Sequence, residues 1–264
     1  MDTYAQNCED LVISVLLRKK KGFYVDVGAN LPDTDSVTKI FYDKGWRGIN
    51  IEPISSLHKR LAKERPRDIN LNVGVSNKVG KLKLREYQDG AHGWSTFSST
   101  IKNLSSRMAK PHKDYIVPVR TLADIFEEYK VQEIDFMKVD VEGFEFQVLE
   151  SNDWGRWKPK IVVVENTPGK WHALLKKQGY IEVFFDNLNR YFATPTVHSQ
   201  LELVLKDIRS LISEEFNQLL LEREKELEEA KLLSNRVIES PEDYLSFRKL
   251  SKAQLIQIKR RLGI

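Results

Sequence analysis

The chain has 264 residues, with 42 Lys and Arg against 38 Asp and Glu, a formal net charge of +4 and 41% hydrophobic residues. That size fits one sizeable core plus an appendage, and so small a charge, with no basic stripe interleaved with aromatics, excludes a nucleic-acid binder. The longest apolar run, Leu11 to Leu17, is broken by Ser14 and falls short of the roughly 20 residues of a transmembrane helix. Its basic cluster Arg18-Lys19-Lys20-Lys21 follows the run, whereas a signal peptide carries its charges first. The single Cys8 permits no internal disulfide and no cysteine metal cluster; a reducing compartment is implied, and the expected location is the cytoplasm.

Along the chain, an amphipathic helix from Asn7 to Arg18 precedes a strand at Phe23–Val27. A helix from about Asp35 to Asp43, with Asp33 or Asp35 as its cap and Gly45 as its stop, leads to a second strand at Gly48–Ile51. A helix at Leu57–Arg65 stopped by Pro66, a strand at Ile69–Val75 and a strand at Leu82–Tyr87 follow. Residues 90–111, rich in Gly, Ser, Thr and Lys, read as a loop or lid. Alternation resumes with Val117–Val119, a helix at Leu122–Lys130, a strand at Asp135–Val139, a helix at Phe144–Leu149 and the apolar strand Ile161–Val164. After a helix at Trp171–Gln178, Tyr180–Phe185 and Tyr191–Ala193 form a closing antiparallel hairpin. Repeated strand–helix alternation specifies a parallel sheet between helices.

Residues 1–197 read as one domain and 198–264 as a helical tail. Leu201, Val204, Leu205, Ile208, Leu211, Ile212, Leu219, Leu227 and Leu233 recur mostly every three or four residues, which predicts a long amphipathic helix, and Pro241 opens a second. The apolar stripe has two destinations, the first domain or a second copy of the chain in a homo-oligomer.

The chemistry concentrates where strands end. Phe23-Tyr24-Val25-Asp26-Val27-Gly28-Ala29-Asn30 is a hydrophobic strand running into a glycine turn, and Gly48-Ile49-Asn50-Ile51-Glu52-Pro53 delivers a carboxylate at the end of the next strand. That spacing places an acidic group to accept both hydroxyls of a ribose. The pyrophosphate-cradling glycines are missing: Leu31-Pro32-Asp33 stand in their place. A nucleoside cofactor without phosphates fits better, and S-adenosylmethionine is the commonest.

Several blocks in order carry a family resemblance. They are Ala5-Gln6-Asn7 with Glu9-Asp10, the first turn, Ser36-Val37-Thr38, Gly45 to Pro53, Arg65-Pro66, Lys138-Val139-Asp140-Val141-Glu142-Gly143-Phe144-Glu145 and Asp186 to Tyr191. From about Tyr4 to Ala193 the chain resembles FkbM-type S-adenosylmethionine-dependent methyltransferases, in the branch that accompanies glycosyltransferases in polysaccharide pathways. The resemblance implies an α/β class I methyltransferase fold: a mostly parallel seven-stranded sheet between helices, its last strand antiparallel. It implies cofactor contacts at Asp26, Gly28, Asn30 and Glu52. Ser36 belongs to a matching block, and Asn72, Val73 and Gly74 stand where such folds frame the adenine.

For the acceptor, the resemblance implies a sugar hydroxyl of a polysaccharide or glycolipid intermediate, with a small secondary metabolite as the alternative and a non-catalytic scaffold as a third reading. A hydroxyl nucleophile calls for a base, and Asp140 and Glu142, at the end of their strand, are the leading candidates; either could instead cap the helix that follows. His92 and His172 are weaker bases. Trp94, Ser95 and Thr96 on the lid, Glu165 after its strand, and Asn189 and Arg190 in the last matching block are acceptor-side candidates. Asp140, Glu142 and Glu165 together offer oxygen ligands that suit magnesium.

Overall fold

The computed structural model describes residues 3–87, 92–98 and 111–200. The chain divides into two units, residues 2–199 and residues 200–264 with Met1, and the account below concerns the first. Beyond the helical backbone at 195–200, the two helices expected in the tail fall outside the described residues.

Ten strands are described: β1 (Phe23–Val27), β2 (Arg47–Ile51), β3 (Ile69–Leu71), β4 (Gly74–Val75), β5 (Gly80–Tyr87), β6 (His112–Arg120), β7 (Phe136–Val139), β8 (Ile161–Glu165), β9 (Ile181–Phe185) and β10 (Asn189–Ala193). The helices are α1 (Glu9–Leu17), α2 (Lys39–Asp43), α3 (Ser55–Glu64), α4 (Leu122–Glu128), α5 (Glu145–Glu150) and α6 (Trp171–Lys177). Seven strands form one sheet in the order β3-β2-β1-β7-β8-β10-β9. The first five are parallel, and β10 runs antiparallel to both β8 and β9. This is the class I methyltransferase arrangement, expected hairpin included.

The central strands form because their side chains are apolar on both faces: Val25, Val27, Ile49, Ile51, Met137, Val139, Val162 and Val164 all lie in one buried cluster. Only a sheet covered on both sides by helices buries such strands. Phe41 of α2 packs against Phe136 at 4.7 Å and Trp46 at 5.0 Å between ring centroids. Tyr24 donates its hydroxyl to Asp68 (2.5 Å), whose other oxygen accepts from Gly48 N (3.0 Å), so the polar end of the aromatic layer is satisfied.

Several elements differ from expectation, among them the strand expected at Val117–Val119, which runs from His112 to Arg120 because it pairs with β5 over that length. The helix at 35–43 shortens to Lys39–Asp43: Asp35 is left-handed (φ 52), and the buried Arg65 guanidinium donates to Pro32 O, Ser36 Oγ and Thr38 Oγ1, holding 32–38 out of helix. Neither Asp33 nor Asp35 caps it. The strand at 69–75 breaks at Asn72–Val73, leaving β3 in the main sheet and sending β4 to a second, three-stranded sheet of order β4-β6-β5. Gly74 permits the detour, since a Cβ there would stand 2.6 Å from the Phe97 ring. Finally, α5 begins one residue late, at Glu145.

The carboxyl ends of β1 and β7 meet at Gly28. Its φ is +82, and a Cβ on it would lie 1.9 Å from the backbone oxygen of Asp140. Gly28 N donates to Ile51 O (3.0 Å), and Asp140 N donates to Val27 O (3.0 Å), so three strand ends are fastened together there. Gly28→Ala combines a left-handed strain with a backbone clash, and should cost about 3 kcal/mol or more. Urea unfolding of the variant reads that loss directly.

Candidate active site

The turn after β1 and the end of β2 form one polar bay. Glu52 is buried, and its carboxylate accepts from Asn30 N (2.9 Å) and Ile54 N (2.8 Å), leaving one lone pair free on each oxygen. Asn30 is left-handed (φ 52). Burial, with smaller contributions from Asp26 and Glu86, pushes the Glu52 carboxyl up to about 7. Asn72 donates from its amide nitrogen to Glu52 O (2.9 Å) and Pro53 O (3.0 Å), joining the end of β3 to the end of β2.

Asp26 is 1% exposed and sits behind the turn, its Oδ2 accepting from Thr38 Oγ1 (2.9 Å). Ser36 is buried against Arg65 (2.5 Å), so it braces the loop in the same network. Two buried acceptors, Asp26 Oδ1 and Asn30 Oδ1, have no hydrogen-bond partner. Orphaned acceptors beside an acidic strand end fit a ligand rich in donors, as the ribose hydroxyls and ammonium of S-adenosylmethionine are. Val73 is partly buried and Gly74 is packed under Phe97.

A second bay lies at the ends of β7 and β8. One carboxylate oxygen from each of Asp140, Glu142 and Glu165 lies within 4.8 Å of the others. Asp140 is ion-paired with Lys138 Nζ (3.0 Å), a buried ammonium held charged, against its burial, by Asp140, Asp26 and Glu9. Burial and the neighbouring carboxylates push Glu142 up to about 8 and Glu165 up to about 9. Glu165 Oε2 is a buried atom with no hydrogen-bond partner.

Neither Asp140 nor Glu142 caps the helix that follows, whose N-cap Phe144 has no side-chain capping bond; the turn before it is held by Glu145, a residue that sequence reasoning passed over. Glu145 Oε1 accepts from Gly143 N (2.9 Å) and Val141 N (3.4 Å), and its other oxygen accepts from Thr167 Oγ1. Glu142 itself is left-handed (φ 54), as is Gly143 (φ 86); a non-glycine residue in that region costs about 1–2 kcal/mol. Lys138 was equally readable in principle: two residues before Asp140 on a strand, it shares that residue's face, and it pairs with Asp26 across the β1–β7 ladder.

The described part of the lid docks beside both bays. Residues His92–Trp94 form a single 3₁₀ turn, with Gly93 next to the Asn30 amide nitrogen; the side chain of His92 lies outside the described residues. Trp94 is 40% exposed. Ser95 Oγ accepts from Tyr87 N (3.2 Å), and the buried Thr96 donates to Glu142 O (2.6 Å), so both hydroxyls are engaged within the protein. His172 Nε2 is 2.8 Å from Glu182, which also pairs with Arg190 (2.5 Å); the expected base His172 of α6 and the expected acceptor-side Arg190 of β10 therefore meet at Glu182 of β9. Asn189, paired in register with Glu165, donates to Glu9 Oε1 (2.8 Å) and is buried.

Fold and bays together define a class I methyltransferase. The profile of the Methyltransferase FkbM domain matches residues 26–182, and the chain belongs to that family. It is therefore an S-adenosylmethionine-dependent methyltransferase. Among solved structures, a Methanococcus jannaschii fibrillarin pre-rRNA processing protein is similar at 13% identity, covering 72% of this chain and 76% of its own, with a TM-score of 0.37. No curated protein matches.

Ribose hydroxyls donate best to an ionised carboxylate. Because Glu52 binds its proton up to about pH 7, the ligand must displace that proton at lower pH. Affinity for S-adenosylhomocysteine should therefore be level above about 7 and fall towards tenfold per unit below it. Calorimetry from pH 6 to 8 checks the slope, and Glu52→Gln should flatten it while weakening binding about ten- to a hundredfold.

Proposed function

We propose that the enzyme transfers the methyl group to a hydroxyl of a sugar, within a polysaccharide or glycolipid intermediate assembled in the cytoplasm. The observation that carries this reading is the acidic corner: three carboxylates clustered at the ends of β7 and β8, one with a buried, unpartnered oxygen. A hydroxyl is a weak nucleophile while protonated, and a carboxylate at hydrogen-bond distance accepts its proton as the oxygen attacks.

The residues divide the work. Glu52, Asn30 and Asp26 would hold the nucleoside and amino-acid ends of S-adenosylmethionine, which supplies an electrophilic methyl group on a sulfonium. Asp140 is the proton acceptor in this reading, with Lys138 fixing its orientation and balancing its charge. Burial, and then the neighbouring carboxylates, raise the proton affinity of Glu142 and Glu165, which favours the protonated form that can donate to acceptor oxygens. Asp140 would take the proton of the attacking hydroxyl, and the bound cofactor would supply the methyl carbon and retain the electron pair of the broken bond on its sulfur. Alignment of the three atoms supplies much of the rate.

The same spacing favours one second reading, in which Asp140, Glu142 and Glu165 hold magnesium and the ion orients the acceptor. Chelation separates the two. Incubation with labelled cofactor and a panel of sugars and lipid-linked glycans should label a sugar, with turnover intact in EDTA if the carboxylates act alone and lost, then restored by magnesium, if they hold the ion. Asp140→Asn should lower kcat by about 10²–10⁴-fold with little change in cofactor affinity. Unaltered turnover in that variant would remove Asp140 from the chemistry.

A further inference from the structure

We infer that Thr96 is a positioning residue for the acceptor step: its hydroxyl fixes the backbone of Glu142, and thereby the place from which that carboxylate faces the acceptor. The inference rests on the reading of the acidic corner as the acceptor site. The Thr96 hydroxyl donates its one proton to Glu142 O (2.6 Å) and accepts from Ser98 N (2.8 Å). At 1% exposure the residue is shielded from an acceptor, so its action is through Glu142.

What the hydroxyl grips is a strained turn. Glu142 and Gly143 are left-handed in succession, with φ of 54 and 86. A non-glycine residue stays in that region only when its surroundings over-determine it. Two contacts do so, from opposite directions along the chain. Glu145 holds the turn from its own helix through Gly143 N and Val141 N. Thr96 holds it from another element, with Phe97 packed on Phe144 beside it at 5.7 Å between ring centroids.

Thr96 is in turn anchored independently of the turn it holds. Its backbone exchanges two hydrogen bonds with Arg85 of β5 (3.0 and 3.1 Å), and the Arg85 guanidinium pairs with Asp114 of β6 (2.8 Å). The three-stranded sheet thus acts as a bracket that carries one hydroxyl to the catalytic turn. Loss of that hydroxyl releases Glu142 without touching the bay around Glu52.

The test compares Thr96→Val, which replaces the hydroxyl by a methyl of similar size, with Thr96→Ser, which keeps the donor. Hydrogen exchange read by NMR needs no acceptor: the Gly143 amide should exchange about tenfold faster in Thr96→Val and near the parent rate in Thr96→Ser. Affinity for S-adenosylhomocysteine should stay within about twofold in both. On the sugar labelled in the panel, Thr96→Val should lower kcat about tenfold and Thr96→Ser should recover most of it, while in a Glu142→Ala background the valine should cost less than about twofold. Unchanged exchange at Gly143, parent turnover in Thr96→Val, or full additivity with Glu142→Ala each overturns the inference. Full turnover in Glu142→Ala alone overturns instead the acceptor reading of the corner, and the exchange rates then judge Thr96 by themselves. Should the valine variant not fold, Thr96→Cys, a weaker donor, is read by the same criteria.

Discussion

Everything at the mouth of this enzyme depends on one close approach, that of the Asp140 carbonyl to the α-carbon of Gly28. The space a side chain would fill is occupied by the backbone of a neighbouring strand. Because Val27, Gly28 and Ile51 are bonded into the same junction, the glycine turn and the strand end that bears Asp140 cannot move apart. The bay around Glu52 and the acidic corner thereby share a single fixed point, as the proposed transfer between them requires. Catalysis by alignment needs that kind of stiffness.

Around the junction, charge is buried in alternation. Arg65 reaches Thr38, Thr38 reaches Asp26, and Lys138 lies among Asp26, Glu9 and Asp140. An isolated ion in such a setting would be costly, whereas neighbours of opposite sign offset the desolvation and leave the groups oriented. Burial, and then the Asp140 carboxylate, raise the proton affinities of Glu142 and Glu165, which have no cation at contact distance among the described residues. One cluster of carboxyl groups thus holds both an ion-paired anion and two acids.

The strands of the main sheet were legible because their patterns are unambiguous: runs such as Ile161–Val164 suit only a strand covered on both faces. The bays were legible because a parallel sheet brings the ends of its strands together, so Asp26, Glu52, Asp140 and Glu165 needed only correct strand ends to be placed. What stayed hidden depends on contacts distant in sequence. The left-handed Asp35 and the short α2 follow from Arg65, some thirty residues on, and the break at Asn72–Val73 follows from Phe97 and the second sheet. Likewise, the residue types of Ser36, Ser95 and Thr96 suited ligand contacts, yet each hydroxyl already has a partner in the protein. Glu145 was in plain view within the matching block, but that it holds the turn before the helix, through Gly143 N and Val141 N, required coordinates.

The bond between Glu9 and Asn189 spans 180 positions of the chain. A second tie, Asn7 to the backbone of Asp186, lies beside it. Contacts of such separation form late, since the intervening chain must be ordered before they hold. During synthesis the first helix therefore waits, its buried Glu9 without its amide partner, until the last strand of the sheet has been made. An early helix is thus completed by a strand made 180 residues later, and a chain stopped short of β10 leaves that edge of the sheet unfinished.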